Sequence, residues 1–108
     1  MTINEYQKKA HSFASYQDEL YPVLGLAEEA GEVAGKVAKY LRQKGRLNWD
    51  SDTELMLKVA KELGDVVWMV AEVATVYGLE LEKILDLNIA KLTDRKNRNV
   101  IVGEGDNR

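Results

Sequence analysis

Apolar residues recur at helical spacing in four stretches of the chain, and turn-forming residues separate them. Ile3, Tyr6, Ala10 and Phe13 form the first stripe, opened by Thr2 and Glu5 as a capping box and predicted to run to about Tyr16. Asp18 to Pro22 breaks it, since proline disfavours helical geometry in the residue before it and suits the first turn of a new helix. Leu26, Ala27, Ala30, Val33, Ala34, Val37 and Leu41 then predict a second helix to about Gln43, stopped by the Lys44-Gly45 step. A polar loop, RLNWDSD, leads to a second capping box, Ser51 with Glu54. Met56, Val59, Leu63, Val66, Val67, Val70, Ala74 and Tyr77 are the main stripe of a third helix, which Gly78 ends. Leu81, Ile84, Leu85, Asn88 and Leu92 place a fourth, fraying near Arg98. The pattern predicts an all-α fold, a four-helix bundle over residues 1–98. The remainder, 99–108, closes on VIVGEGDNR, which has no helical period and two glycines, and reads as a flexible tail or lid.

From Val66 to Tyr77 the sequence VVWMVAEVATVY is apolar almost all round, with only Glu72 and Thr75 polar. Such a helix needs neighbours on several sides, and three other short helices do not obviously supply them. A homo-oligomer with helix three central is the expectation, and Trp68 reads as packing. The apolar run is too short for a membrane span of ~18 residues, and MTINEYQKK lacks the apolar core of a signal peptide.

Composition narrows the field further. The 108 residues suit one domain, and 45% hydrophobic with 31% charged residues argues for a folded chain rather than a disordered one. A formal charge of −3 gives no support to broad binding of a nucleic-acid polymer. With no cysteine, disulfides, thiolate metal ligands and cysteine nucleophiles are excluded. A cytoplasmic protein, with no membrane partner, is expected.

The chemistry-bearing signal is a pair of acidic motifs, EEAGE at 28–32 and ELGD at 62–65. Glu29 and Glu32 are about 60° apart at the margin of the helix-two stripe, and Glu62 and Asp65 stand alike on helix three. If those margins meet, four carboxylates converge, and an oxygen-only set suits a hard cation such as Mg²⁺ or Mn²⁺ rather than zinc. Ordinary surface decoration is the alternative, and Glu32 with Lys36 makes a favourable pair four residues apart. Against it, Glu28 and Glu32 are like charges at the same spacing, and the column of Glu62 and Asp65 continues as Met69, Val73 and Val76. On helix four, Asn88, Lys91 and Arg95 share one face, an amide with two cations, although a basic helix end also simply complements the helix dipole.

EEAGE followed by ELGD, with four helices in the same order, resembles the MazG-like all-α nucleoside triphosphate pyrophosphohydrolases. That superfamily also includes dimeric dUTPases and phosphoribosyl-ATP pyrophosphatases. The resemblance implies Mg²⁺ ligands at Glu29, Glu32, Glu62 and Asp65, with Mn²⁺ able to substitute, and makes Glu28 a further acid that holds metal or orients water. It implies phosphate contacts for Lys91 and Arg95, joined by Asn88, and a homodimer or homotetramer. The reaction implied is water attack at the α-phosphorus of a nucleoside triphosphate, giving monophosphate and pyrophosphate, to clean or rebalance a nucleotide pool. For the base, aromatic and polar residues at His11, Phe13, Gln17, Trp49 and Tyr40 are candidates, with His11 read as solvent-facing. The glycines of the tail would let Asp106 or Arg108 fold over a substrate, with a disordered terminus as the alternative that base rates favour. Two rivals stand beside this reading: a phosphoribosyl-ATP pyrophosphatase, and a non-catalytic helical oligomer that binds metal and nucleotide.

Overall fold

The structure is a computed structural model that describes residues 1–48 and 52–108. It contains four helices and, among the described residues, no strand: α1 (Ile3–His11), α2 (Tyr21–Lys44), α3 (Thr53–Val76) and α4 (Leu81–Asn97). Trp49 and the Ser51 half of the second expected capping box lie outside the described residues. The first capping box is present: Thr2 Oγ1 accepts from the Glu5 amide at 3.1 Å, and the Thr2 amide donates to Glu5 Oε2 at 3.0 Å. Gly45 and Gly78 take positive φ at the ends of α2 and α3, where a side chain would be strained.

α1 ends earlier than its apolar period predicts. Ser12, Phe13 and Ala14 donate to carbonyls three residues back, and the Ser12 hydroxyl donates to the Lys9 carbonyl at 2.6 Å. That local bond competes with the next helical turn and tightens the end, leaving Phe13 on a loop and exposed.

α2 and α3 pack along most of their length as a hairpin, α1 lies across α3, and α4 is held by α1 rather than by the hairpin. Gly25 permits a close approach within the hairpin: a Cβ there would meet Met69 Sδ at 2.6 Å. At the other junction Gln7 donates to the Leu79 carbonyl at 2.8 Å and accepts from the Leu81 amide at 2.7 Å, fixing the start of α4 against α1.

The buried side of α3 is not the stripe that its apolar residues define. Leu55, Met69, Ala71, Glu72 and Ala74 are buried, whereas Leu63, Val67 and Tyr77 are exposed. The inward face therefore includes the column that carries Glu62 and Asp65, while of the apolar stripe Met56, Leu63, Val67 and Tyr77 face out, Val59, Val66 and Val70 are half-buried and Ala74 is buried. On α4, Leu85, Leu87, Ile89 and Leu92 are likewise exposed. The radius of gyration, 16.9 Å, exceeds the ~13 Å of a compact domain this long. A single chain thus leaves apolar helix faces uncovered. Among the described residues no helix is long and apolar enough to cross a membrane.

Candidate active site

The hairpin brings the two acidic motifs together. Glu29 on α2 and Glu62 and Asp65 on α3 each offer a carboxylate oxygen, and the three oxygens lie within 4.8 Å of one another. Helical spacing explains the encounter, because Glu62 and Asp65 are nearly one turn apart on the α3 face that packs against α2. Glu32 and Glu28 are exposed and stand outside this trio, yet their charges reach it. Burial first, then the charges of Asp65, Glu28, Glu62 and Glu32, hold the Glu29 carboxyl above its ordinary value. One cation relieves the crowding: Lys36 Nζ lies 3.6 Å from Glu62 Oε1.

Does this donor set fit a metal? The group contains only carboxylates, which suits Mg²⁺ or Mn²⁺ and not zinc. Burial first, then the neighbouring negative charges, push Glu29 toward its neutral form, and a divalent cation would offset those charges. The residues fit.

Beside the acids the structure builds an apolar cleft. Tyr6, Lys9, Phe13, Gly64, Asp65 and Trp68 line a depression of ≈ 370 Å³, and the Tyr6 hydroxyl is held above its ordinary pKa by burial first, then by Asp65 and Glu72. A second depression, of ≈ 420 Å³, has Phe13, Gln17 and Trp68 in its lining, with Tyr16 stacked on Tyr21 at 5.5 Å between ring centroids. Trp68 stands in the walls of both, and its indole N–H donates to the Ala10 carbonyl at 3.1 Å, which ties the end of α1 to α3. Of the base-contact candidates, Phe13 therefore shares a depression with Asp65, and Gln17 lies with Phe13 in the neighbouring one. His11 is turned away, with Nδ1 3.1 Å from Glu72 Oε2, in a different depression alongside Asn4 and Glu80. Tyr40 is committed elsewhere, its hydroxyl donating to Asp52 at the far end of the hairpin.

Glu72 is the residue whose importance the periodicity hides. It is fully buried, faces His11 at both carboxylate oxygens, and has the buried Tyr16 hydroxyl nearby. That hydroxyl makes no hydrogen bond of good geometry, and burial first, then Glu72, push its pKa up. The only sequence signal was an acid interrupting an apolar run.

The cationic residues form a separate centre. Lys91 and Arg95 are not joined to the acidic trio by any hydrogen bond or ion pair among the described residues. Both bind the chain's own Asp106, with Lys91 Nζ at 3.2 Å and Arg95 Nη2 at 3.4 Å from Oδ1. Arg95 is buried beneath the 99–108 segment, whereas Asn88 is exposed and shares a shallow depression with Lys91. The segment 99–108, expected to be a flexible tail or lid, lies folded onto α4. Arg108 belongs to that fold, its guanidinium donating to the Val100 and Ile101 carbonyls at 3.2 and 3.1 Å.

The profile of the MazG nucleotide pyrophosphohydrolase domain matches residues 17–100. "Gene 37 protein" of Mycobacterium phage L5 is 44% identical over 89 residues, spanning 82% of this chain and 75% of that protein. "Uncharacterized protein YvdC" of Bacillus subtilis (strain 168) is 36% identical over 72 residues, 65% of this chain and 68% of that protein. No solved structure matches significantly.

Proposed function

Since the chain belongs to the MazG nucleotide pyrophosphohydrolase family, we propose that it hydrolyses a canonical or modified nucleoside triphosphate to monophosphate and pyrophosphate, with Mg²⁺ as cofactor. The observation that carries this reading is the convergence of Glu29, Glu62 and Asp65 within 4.8 Å. Water attacks the α-phosphorus, the bond from that phosphorus to the α–β bridging oxygen breaks, and pyrophosphate leaves. Bound Mg²⁺ supplies the positive charge that an acidic site needs to accept a triphosphate, and lowers the pKa of water. Glu29, Glu62 and Asp65 hold it, Glu32 completes the set, and Glu28 holds metal or orients the attacking water.

The other residues bind and position. The cleft of Tyr6, Phe13 and Trp68 beside Asp65 offers the apolar surface and aromatic rings that a nucleobase needs, with Gln17, in the adjoining depression that Phe13 and Trp68 also line, as a polar group for its edge. Lys91 and Arg95 neutralise the phosphates that leave, and Asn88 adds an amide to the same face.

Assembly belongs to the same proposal. The exposed apolar residues Leu63 and Val67 of α3 and Leu85, Leu87, Ile89 and Leu92 of α4 support a homodimer or homotetramer in which a second copy covers them. In one chain the cations are not linked to the acids, so a partner's α4 is the natural source of phosphate contacts for each acidic trio. We place the protein in the cytoplasm, with its substrates.

Product analysis tests the core of this reading. Purified protein with Mg²⁺ and each ribo- and deoxynucleoside triphosphate should yield monophosphate and pyrophosphate, lost with a chelator. Diphosphate and phosphate, or no turnover across the panel, would reject it.

A further inference from the structure

The segment after α4 is turned back by geometry encoded in the helix end. Asn99 takes φ 60°, its amide donates to the Lys96 carbonyl at 3.1 Å, and the Val100 amide reaches the Arg95 carbonyl at 2.8 Å. This is a Schellman stop with asparagine in the left-handed position, and it sends the chain back along α4 instead of into solvent. Arg95 Nη2 then donates to the Asp106 carbonyl at 3.1 Å, the Gly105 carbonyl at 3.4 Å and Asp106 Oδ1 at 3.4 Å, while Lys91 Nζ takes the same carboxylate oxygen. Arg98 adds a hydrogen bond to the Arg108 carbonyl.

Two features make this a poor final partner for the cations. Arg95 is only 5% exposed, yet its Nε has no hydrogen-bond partner, a costly state for a buried donor. A guanidinium binds best through two parallel N–H groups, and the tail uses Nη2 alone. A phosphate group has the oxygens to engage Nε and Nη2 together and carries more charge than one carboxylate. The Asp106 side chain is also 84% exposed, so a ligand can reach the contact from solvent. Lys91 first, then Arg95, hold its carboxyl below the ordinary value, so the contact is charged at neutral pH.

We propose that residues 99–108 are a latch on the phosphate-binding face of α4: Asp106 occupies Lys91 and Arg95 in the free protein, and a pyrophosphate or polyphosphate group displaces it. The proposal rests on the reading of these two cations as phosphate ligands. The latch makes binding competitive with an intramolecular anion, so the apparent affinity is reduced by the fraction of molecules that are open. Opening removes the carboxylate and releases Nε and Nη2 to one ligand.

The test is calorimetric titration of inorganic pyrophosphate into the full chain with EDTA present, so that the acidic trio holds no metal. Asp106→Asn should bind about five-fold more tightly than the wild type, from an ion pair of modest strength removed from the closed state. Asp94→Asn removes the same charge from the exposed Arg98 pair and should stay within about two-fold. In ¹⁵N spectra, the Gly103 and Gly105 amides of the wild type should move toward their Asp106→Asn positions as pyrophosphate saturates. Equal or weaker binding by Asp106→Asn, unmoved glycine amides at saturation, or no binding by any variant would overturn the latch. Failure of the two readings is separable. Tighter pyrophosphate binding by Asp106→Asn without turnover of any triphosphate removes the proposed reaction and leaves the latch. Turnover with unaltered pyrophosphate affinity does the reverse.

Discussion

The acidic trio on α2 and α3 and the cationic pair on α4 have opposite charge and opposite states of satisfaction. Glu29, Glu62 and Asp65 crowd together with Lys36 as the one cation paired to them among the described residues, and burial first, then the acids around it, hold the Glu29 carboxyl above its ordinary value. Lys91 and Arg95 already hold an anion, supplied by the same chain. One centre needs an ion brought in, and the other needs an ion displaced. A substrate carrying both a divalent cation and several phosphates satisfies both conditions at once, whereas a metal alone addresses only the first.

The contrast breaks most visibly at the acids. Asp65→Asn removes one charge of the trio with little change of shape, and turnover should fall by about 10³-fold, the scale of losing a group that organises charge at the reacting centre. Far-UV circular dichroism should be unchanged, since Asp65 caps nothing and lies within a long helix. Turnover near the wild-type rate would mean that the trio is surface decoration. Arg95→Gln attacks the other centre, and a loss of about 10²-fold in kcat/KM is expected from one phosphate contact. The same change frees the 99–108 segment, so the glycine amides of Arg95→Gln and Asp106→Asn should shift alike while their effects on pyrophosphate binding oppose each other.

Thermal unfolding sharpens the comparison without any turnover. Mg²⁺ at about ten times its dissociation constant should raise Tm by about 5 °C, because a ligand that binds only the folded state stabilises it. Glu62→Gln should abolish that rise, and Arg95→Gln should retain it. A rise retained in Glu62→Gln would place the metal elsewhere.

The two centres were not equally legible in the sequence. Glu29, Glu62 and Asp65 could be found because helical period fixes which residues share a face, and the paired motifs put acids at matching margins of two helices that then pack. Period does not say which neighbour a face meets. On α3 the main apolar stripe takes in Leu63, Val66, Val67 and Val70, yet Leu63 and Val67 are exposed in the single chain and its inward side carries Glu62, Met69 and Glu72. Glu72 escaped for a related reason. Its partner His11 is 61 residues away, and nothing local marks the meeting of a histidine just beyond one stripe with an acid at the edge of another. The end of α1 was misjudged because a single Ser12 hydroxyl bond outweighs an apolar period. The latch depends on Asn99 in the left-handed region, a conformation that asparagine tolerates but does not announce.

The finest probe of the comparison is Lys36, the cation that stands on the acidic side. Its ammonium lies 3.6 Å from Glu62 Oε1 and is partly exposed, so it shares the carboxylate with water and with any metal that arrives. If its role is to neutralise Glu62 until the metal displaces it, Lys36→Met removes a competitor and should tighten Mg²⁺ binding by about three-fold, the range of an exposed ion pair. The gain should shrink as salt is raised, because screening already weakens the pair in the wild type. Isothermal titration at low and high ionic strength reads both effects. Weaker binding in Lys36→Met would mean instead that the lysine holds Glu62 in the orientation the metal requires. The acidic centre would then be built by its own cation rather than restrained by it, and the likeness between Lys36 at one end and Asp106 at the other, each an internal stand-in for an ion to come, would fail.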